Sequence, residues 1–290
     1  MAIDCPKVGD LPADYSSRLP RGVPPVERAP TSFPFVLEQA KTFGPADVTW
    51  YFPIALPKTN PTGVFIPQGF GNPKEVDVIL YFHGNKLGEF DTINQYWSGK
   101  LHNIALRDDL NASGKRALLV APTLGENSGH GMGGNPALGI FGTPGGGNCF
   151  LDHVMQWLGK YEPRYSLNNI VPQVRSVVLA GHSGGGNAIH LQMEAMKAKI
   201  SEIWCFDVVY GDVNDWVDFA RFNPTKRLTF YHAVQSLDSL KNLIRLKEVT
   251  EIQFPRSLDN LKIIKGGSDH FPCLTDNFRS HAKQSGLPNR

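Results

Sequence analysis

The sequence predicts an α/β fold, a mostly parallel central sheet with helices on both faces. Apolar runs of strand length alternate along the chain with segments of helical spacing. Several of those runs are apolar almost without interruption, as in strands covered on both faces. The 290 residues, 41% of them hydrophobic, can bury one large core. A sheet of this kind places its site in the loops at the carboxyl ends of the strands. The expected organisation is a Pro-rich N-terminal arm over residues 1–44 and a single domain over residues 45–290.

The arm follows from Pro6, Pro12, Pro20, Pro24, Pro25, Pro30 and Pro34, which prevent a regular helix and favour extended chain laid along the domain. Residues 48–52 and 62–67 read as strands joined by a turn near 57–61, an opening β-hairpin. Residues 76–82 form a buried strand that ends in His83-Gly84-Asn85. The spacing over 101–110 suits a crossover helix, and residues 117–122 form a second buried strand. A glycine-rich loop over 125–149 follows, holding His130, Met132, Phe141 and Asn148; a loop of that length is functional or mobile. Residues 150–158 have helical spacing and lead toward the apolar run 177–180. Beyond it come a helix over 187–200, a strand over 203–211, a helix over 213–222 and a strand over 228–234. A helix over 240–246, a last strand over 261–264, a glycine-rich turn and a C-terminal helix complete the chain.

Formal net charge is +2 with scattered lysines and arginines, so no footprint for nucleic acid is expected. No apolar stretch reaches the roughly 18 residues of a membrane span, and Met1-Ala2-Ile3-Asp4-Cys5-Pro6 lacks a signal pattern. The expectation is a soluble protein, cytoplasmic or the mature form of a secreted one. Cys5, Cys149, Cys205 and Cys273 contain no C-x-x-C pair, which argues against a zinc ribbon or a redox dithiol. Cys205 suits a small buried hydrophobe, and a Cys149 to Cys273 disulfide stays open. Gly129-x-Gly131-x-x-Gly134 matches a dinucleotide fingerprint in form, but Pro136 follows it and no helix opens there. No G-x-x-x-x-G-K-[ST] occurs, and Asn111-Ala112-Ser113 fits a glycosylation acceptor of a kind common by chance.

The candidate site centres on Gly181-His182-Ser183-Gly184-Gly185, which directly follows an apolar run and directly precedes a helical pattern. That context reads as strand, sharp turn and helix with Ser183 at the apex, where bulky residues two before and two after would clash across the turn. The bland alternative is a flexible glycine loop between two core elements. A serine hydroxyl is a poor nucleophile near neutral pH, so it needs a base in hydrogen-bond reach and a group to orient that base. His270, in the turn after the last strand, has the required place; His182, His130, His153 and His232 suit structural roles better. For the acid, Asp207 lies in an apolar run where an unpaired carboxylate would be costly, so a partner is implied. Asp238 is the second choice, equally explained as a helix cap, and Asp212 the third.

These features resemble the α/β-hydrolase superfamily over roughly residues 45–285: the Gly181 to Gly185 elbow, His83-Gly84-Asn85 after an early strand, and His270 after the last. The resemblance implies an α/β-hydrolase fold and a serine hydrolase that needs no cofactor and no metal. It implies an oxyanion hole from the amides of Asn85 and Gly184. In most of the superfamily the acid stands where Asp238 does, whereas pancreatic-type lipases place it one strand earlier, at the position of Asp207. The expected chemistry is carboxylic ester hydrolysis through an acyl-enzyme, carboxylesterase- or lipase-like, on a small-molecule or lipid-like ester. A peptidase, thioesterase or acyltransferase could use the same residues, and a catalytically silent binding module is the alternative of another class. Acyl group, leaving group and oligomeric state are not encoded in the motif.

Overall fold

The computed structural model describes residues 35–39, 48–55, 59–84, 96, 101–122, 124, 136–208, 211–233, 237–253 and 258–290. Within them lie strands β1 (Phe35–Gln39), β2 (Val48–Ala55), β3 (Thr59–Ile66), β4 (Glu75–Phe82), β5 (Leu118–Pro122), β6 (Gln173–His182), β7 (Ile200–Phe206), β8 (Arg227–Ala233) and β9 (Leu261–Gly267). The principal helices are α1 (Leu106–Ser113), α2 (Gly146–Tyr161), α3 (Gly186–Met196), α4 (Val213–Phe222), α5 (Leu237–Gln253), α6 (His270–Thr275) and α7 (Phe278–Gln284).

All of these strands join one sheet in the order β1-β2-β3-β5-β4-β6-β7-β8-β9. From β5 through β9 every neighbouring pair is parallel. The first three strands form an antiparallel meander that meets β5 antiparallel. This is the mostly parallel sheet with an opening hairpin that the sequence predicts, in the α/β-hydrolase fold. Strand β4 shows why its run is apolar throughout. Val78, Leu80 and Phe82 pack with Leu151, Ile189 and Trp216 on one face, while Ile79 and Tyr81 pack with Leu106, Leu110 and Phe278 on the other. Helices α2, α3, α4 and α5 cover the first face, and α1, α6 and α7 the second.

Several elements differ from the sequence expectation. Strand β1 falls within the segment expected to be arm and pairs with β2; the rest of that arm lies outside the described residues. Helix α2 begins at Gly146, inside the expected loop, because its glycines serve packing and not flexibility. A Cβ on Gly146 would stand 2.0 Å from the Ile140 carbonyl oxygen, and one on Gly147 2.3 Å from the Met196 sulfur. Strand β7 stops at Phe206, well before Gly211, because Asp207 turns into the left-handed region at φ 52°. Helix α3 ends at Met196, short of the expected Ile200, which instead opens β7. Among the described residues no helix is long and apolar enough to cross a membrane.

Candidate active site

Strand β6 runs through the middle of the sheet and delivers Ser183 at its carboxyl end. Ser183 has φ 52°, a conformation that costs a non-glycine residue about 1–2 kcal/mol. A single 3-10 turn, Ser183–Gly185, follows and passes into α3. Ser183 stays partly exposed while His182 and Gly184 on either side are buried. The two flanking glycines answer to a neighbour that sequence cannot show. A Cβ on Gly185 would lie 2.2 Å from the Phe82 carbonyl oxygen, and one on Gly181 would lie 2.9 Å from Ile189 and 3.3 Å from that same oxygen. The turn is thus pressed against the end of β4, besides folding tightly on itself. The Gly186 amide closes the turn by donating to the Ser183 and Gly184 carbonyls.

The parallel register sets His182 beside Phe206, so Ser183 and Asp207 are the next residues out on adjacent strands. Asp207 is buried, and both carboxylate oxygens have partners. Oδ2 lies 2.5 Å from His270 Nδ1, and Oδ1 accepts from the Ala233 amide at 3.0 Å. The Asp207 amide in turn donates to the Tyr231 carbonyl at 2.7 Å, which ties the left-handed turn to β8. Leaving such a carboxylate uncompensated would cost on the order of several kcal/mol, so the histidine and the amide are conditions of its burial. His270 is the first residue of α6, and the Asp269 side chain caps that helix by accepting from the His270 amide. A carboxylate can only accept, so the proton of a neutral His270 sits on Nδ1 and Nε2 is left as an acceptor.

Two further histidines surround this pair: His182, given a structural role on sequence, and His83 from the His83-Gly84-Asn85 stretch. His182 is fully buried, with its ring centroid 4.3 Å from that of His270. Burial, followed by the nearby His270, lowers its pKa to about 3, which keeps it neutral. His83 is likewise buried, with its pKa lowered to about 4 by desolvation. Its Nδ1 donates to the Gly84 carbonyl at 2.6 Å and its Nε2 accepts from the Leu124 amide at 2.7 Å, which fastens the end of β4 to the chain beyond β5. Phe271 stacks on His102 at 3.9 Å and lies 5.4 Å from the His270 ring, an aromatic wall beside that histidine.

The remaining candidates are placed as follows. Asn85 and His130 lie outside the described residues. Asp238 is the second residue of α5, not a cap before it, and its side chain is outside the description. Asp212 caps α4 by accepting from the Asn214 amide at 2.9 Å. His153 is buried within α2, and His232 lies in β8. Cys205 and Cys273 are free thiols while Cys149 is disulfide-bonded, so the Cys149 to Cys273 bridge is not made. Burial pushes the thiol of Cys273, within α6, well above its ordinary pKa, which keeps it a protonated thiol near neutral pH. Among the described residues no group of three or more His, Cys, Asp or Glu could hold a metal ion. Tyr96, whose hydroxyl lies 3.2 Å from His182 Nδ1, is not singled out by the sequence, since nothing local signals that contact.

An apical serine at positive φ, a carboxylate at the end of the adjacent strand and a histidine after the last strand stand at the carboxyl ends of the strands of an α/β-hydrolase fold. No protein-family model matches the chain, and no curated protein matches it by sequence. Solved structures do. A feruloyl esterase module from Clostridium thermocellum, complexed with sinapinate, is 13% identical over 87% of this chain and 91% of its own, with a TM-score of 0.51. A protein designated FAE is 13% identical over 90% of this chain and 95% of its own, with a TM-score of 0.52. A thermostable esterase is 14% identical over 84% of this chain and 63% of its own, with a TM-score of 0.51. At such identities the shared property is the path of the chain, the α/β-hydrolase fold.

Proposed function

We propose that the protein is a serine hydrolase that cleaves carboxylic esters through an acyl-enzyme. The observation that carries this reading is the 2.5 Å contact between Asp207 and Nδ1 of His270, next to a serine held at φ 52° on the adjoining strand end. Asp207 holds His270 in the tautomer with a bare Nε2. His270 takes the proton of Ser183 as its oxygen attacks the ester carbonyl, then returns it to the departing alcohol; water repeats the cycle on the acyl-enzyme. The Gly184 amide, with that of Asn85 beyond the His83-anchored Gly84, is assigned to the developing oxyanion. The esterase names of the similar structures agree with an ester as substrate, and the superfamily resemblance with the covalent route.

The test is fluorophosphonate labelling of the intact protein together with a panel of nitrophenyl esters of increasing acyl length. The expected result is stoichiometric label on Ser183 and ester turnover. Ser183→Ala should fold, take up no label and lose about four orders of magnitude of turnover or more. Retention of activity within about tenfold would remove Ser183 from the role. Absence of both label and turnover on every ester, peptide and thioester tried would favour the silent binding module.

A further inference from the structure

One buried chain of hydrogen bonds runs between loops that the proposed reaction uses separately. The Gly84 amide donates to the Tyr96 phenol oxygen at 3.1 Å, in the loop after β4. The Tyr96 hydroxyl lies 3.2 Å from Nδ1 of His182, and Nε2 of His182 lies 3.1 Å from the carbonyl oxygen of His270. Tyr96 is 2% exposed and His182 0%, so water cannot substitute for a lost partner. The order Gly84, Tyr96, His182, His270 crosses from the oxyanion side of the serine to the base.

The direction of every bond in the chain is determined. The His270 carbonyl can only accept, so His182 must carry its proton on Nε2. A neutral imidazole has one such proton, so Nδ1 is a bare acceptor and Tyr96 must donate to it. The phenol oxygen is then free to accept from the Gly84 amide. Each polar atom is satisfied once, and reversing any link strands a buried donor or acceptor at about 1–3 kcal/mol. Gly84 has no slack in this arrangement. A Cβ there would stand 2.9 Å from Ser183 Cβ and 2.9 Å from the Tyr96 oxygen.

We infer that Tyr96 and His182 are positioning residues, which hold the oxyanion loop at Gly84 and the His270 loop in one register across Ser183. The inference rests on the serine-hydrolase reading for its consequence, and on the contacts alone for its existence. Neither side chain touches the reacting atoms in this role. They act by keeping the donors and the base within the few tenths of an ångström that transition-state stabilisation requires. The ring of His182, tilted 37° against that of His270 with centroids 4.3 Å apart, limits the base's rotation in the same way.

Two measurements test this, and the first does not depend on activity. NMR of the wild-type protein with 15N-labelled histidine should show His182 neutral at pH 7, protonated on Nε2 and bare on Nδ1. A His182 protonated on Nδ1, or cationic, overturns the chain whatever the protein hydrolyses. Second, Tyr96→Phe should lower kcat on a nitrophenyl ester about ten- to a hundredfold with KM within about twofold. Its spectrum should also shift at the Gly84 amide and the His270 backbone. Combining Tyr96→Phe with His182→Gln should cost little more in kcat than the slower single variant, since both break the same chain. A purely structural role would lower the thermal midpoint and leave kcat per folded molecule unchanged, and that outcome, or additive losses in log kcat, would overturn the inference. Failure of the serine-hydrolase reading is seen separately, as absent labelling of Ser183 in the wild type.

Discussion

The two ends of the parallel strands treat a buried carboxylate in opposite ways. At the amino end, Asp77 in β4 accepts from the Arg175 guanidinium and from the Ser176 hydroxyl at 2.5 Å. Glu202, near the start of β7, accepts from the Arg227 guanidinium, from Trp204 Nε1 at 2.9 Å and from the Gly286 amide at 2.7 Å. Both arginines keep about half of their surface in water, 48% and 47% of the side chain. At the carboxyl end, Asp207 accepts from the ring of His270 and the amide of Ala233. An arginine never gives up its proton in a protein, so the amino-end pairs are fixed charges that fasten strands together. An imidazole, unlike a guanidinium, can both give and accept a proton, so the proposed reaction would turn the same kind of buried carboxylate into part of a proton-transfer device.

The largest expected effect tests that contrast directly. Asp207→Asn should lower kcat about 10⁴-fold, because an amide can stabilise the wrong imidazole tautomer while keeping the packing. Glu202→Gln should leave kcat per folded molecule within about threefold and instead cost about 1–2 kcal/mol of stability, the partner arginine being half in water. Measuring kcat and thermal midpoint for both variants decides the matter. A normal kcat in Asp207→Asn would make the carboxyl end as structural as the amino end.

Next in size is the pH dependence of stability. Desolvation lowers the pKa of His83 and His281 to about 4 and that of His182 to about 3. Unfolded, each histidine would bind a proton below about pH 6.5. Between that value and the folded pKa the unfolded state therefore holds more protons, and stability rises with pH. The stabilisation is fully present above about pH 6.5 and is lost as pH falls toward 4, at about 1.4 kcal/mol per pH unit for each histidine. Urea denaturation at pH 7 and pH 5 should show this decline, with a smaller slope in His281→Gln. Equal stability at the two values would mean that these rings are not buried as neutral groups.

Smaller still is a pair of glycine substitutions at the two ends. Gly185→Ala should cost about 2–3 kcal/mol, since its Cβ would meet the Phe82 oxygen at 2.2 Å and the His83 oxygen at 2.9 Å, both backbone atoms that cannot swing aside. Gly69, in the turn leading to the amino end of β4, has open space around it but φ +72°, so Gly69→Ala should cost only the backbone strain of about 1 kcal/mol. Chemical denaturation ranks the two, and a Gly69 cost equal to that of Gly185 would contradict the close approach at the elbow.

What could be read before folding was what depends on near neighbours in the chain. A serine between glycines, after an apolar run and before a helical pattern, signals a tight turn because the constraint acts over five residues. The run from Val76 to Phe82 signals a strand covered on both faces, since side chains alternate whatever lies opposite. His270 was readable as a loop histidine after the last strand. Local composition also misled: Gly145, Gly146 and Gly147 resemble a loop, yet two of them are glycines because Ile140 and Met196 pack where a side chain would stand.

By itself, then, the sequence determined the alternation of strands and helices from β2 onward, the tight glycine-flanked turn at Ser183, and the need for some partner to Asp207 in its apolar run. It puts Asp207 ahead of Asp238 on the cost of an unpaired carboxylate in an apolar run, but it cannot show which strand lies beside β6. Only the sheet order settles where Asp207 stands, with Phe206 in register with His182 and the Asp207 carboxylate beside a histidine 63 residues further on. The chain through Gly84, Tyr96, His182 and His270 was equally invisible, since its links from His182 span 86 residues to Tyr96 and 88 to His270. Hydrogen bonds of that kind are made by atoms that sequence leaves far apart, and their direction follows only when burial removes water as an alternative partner.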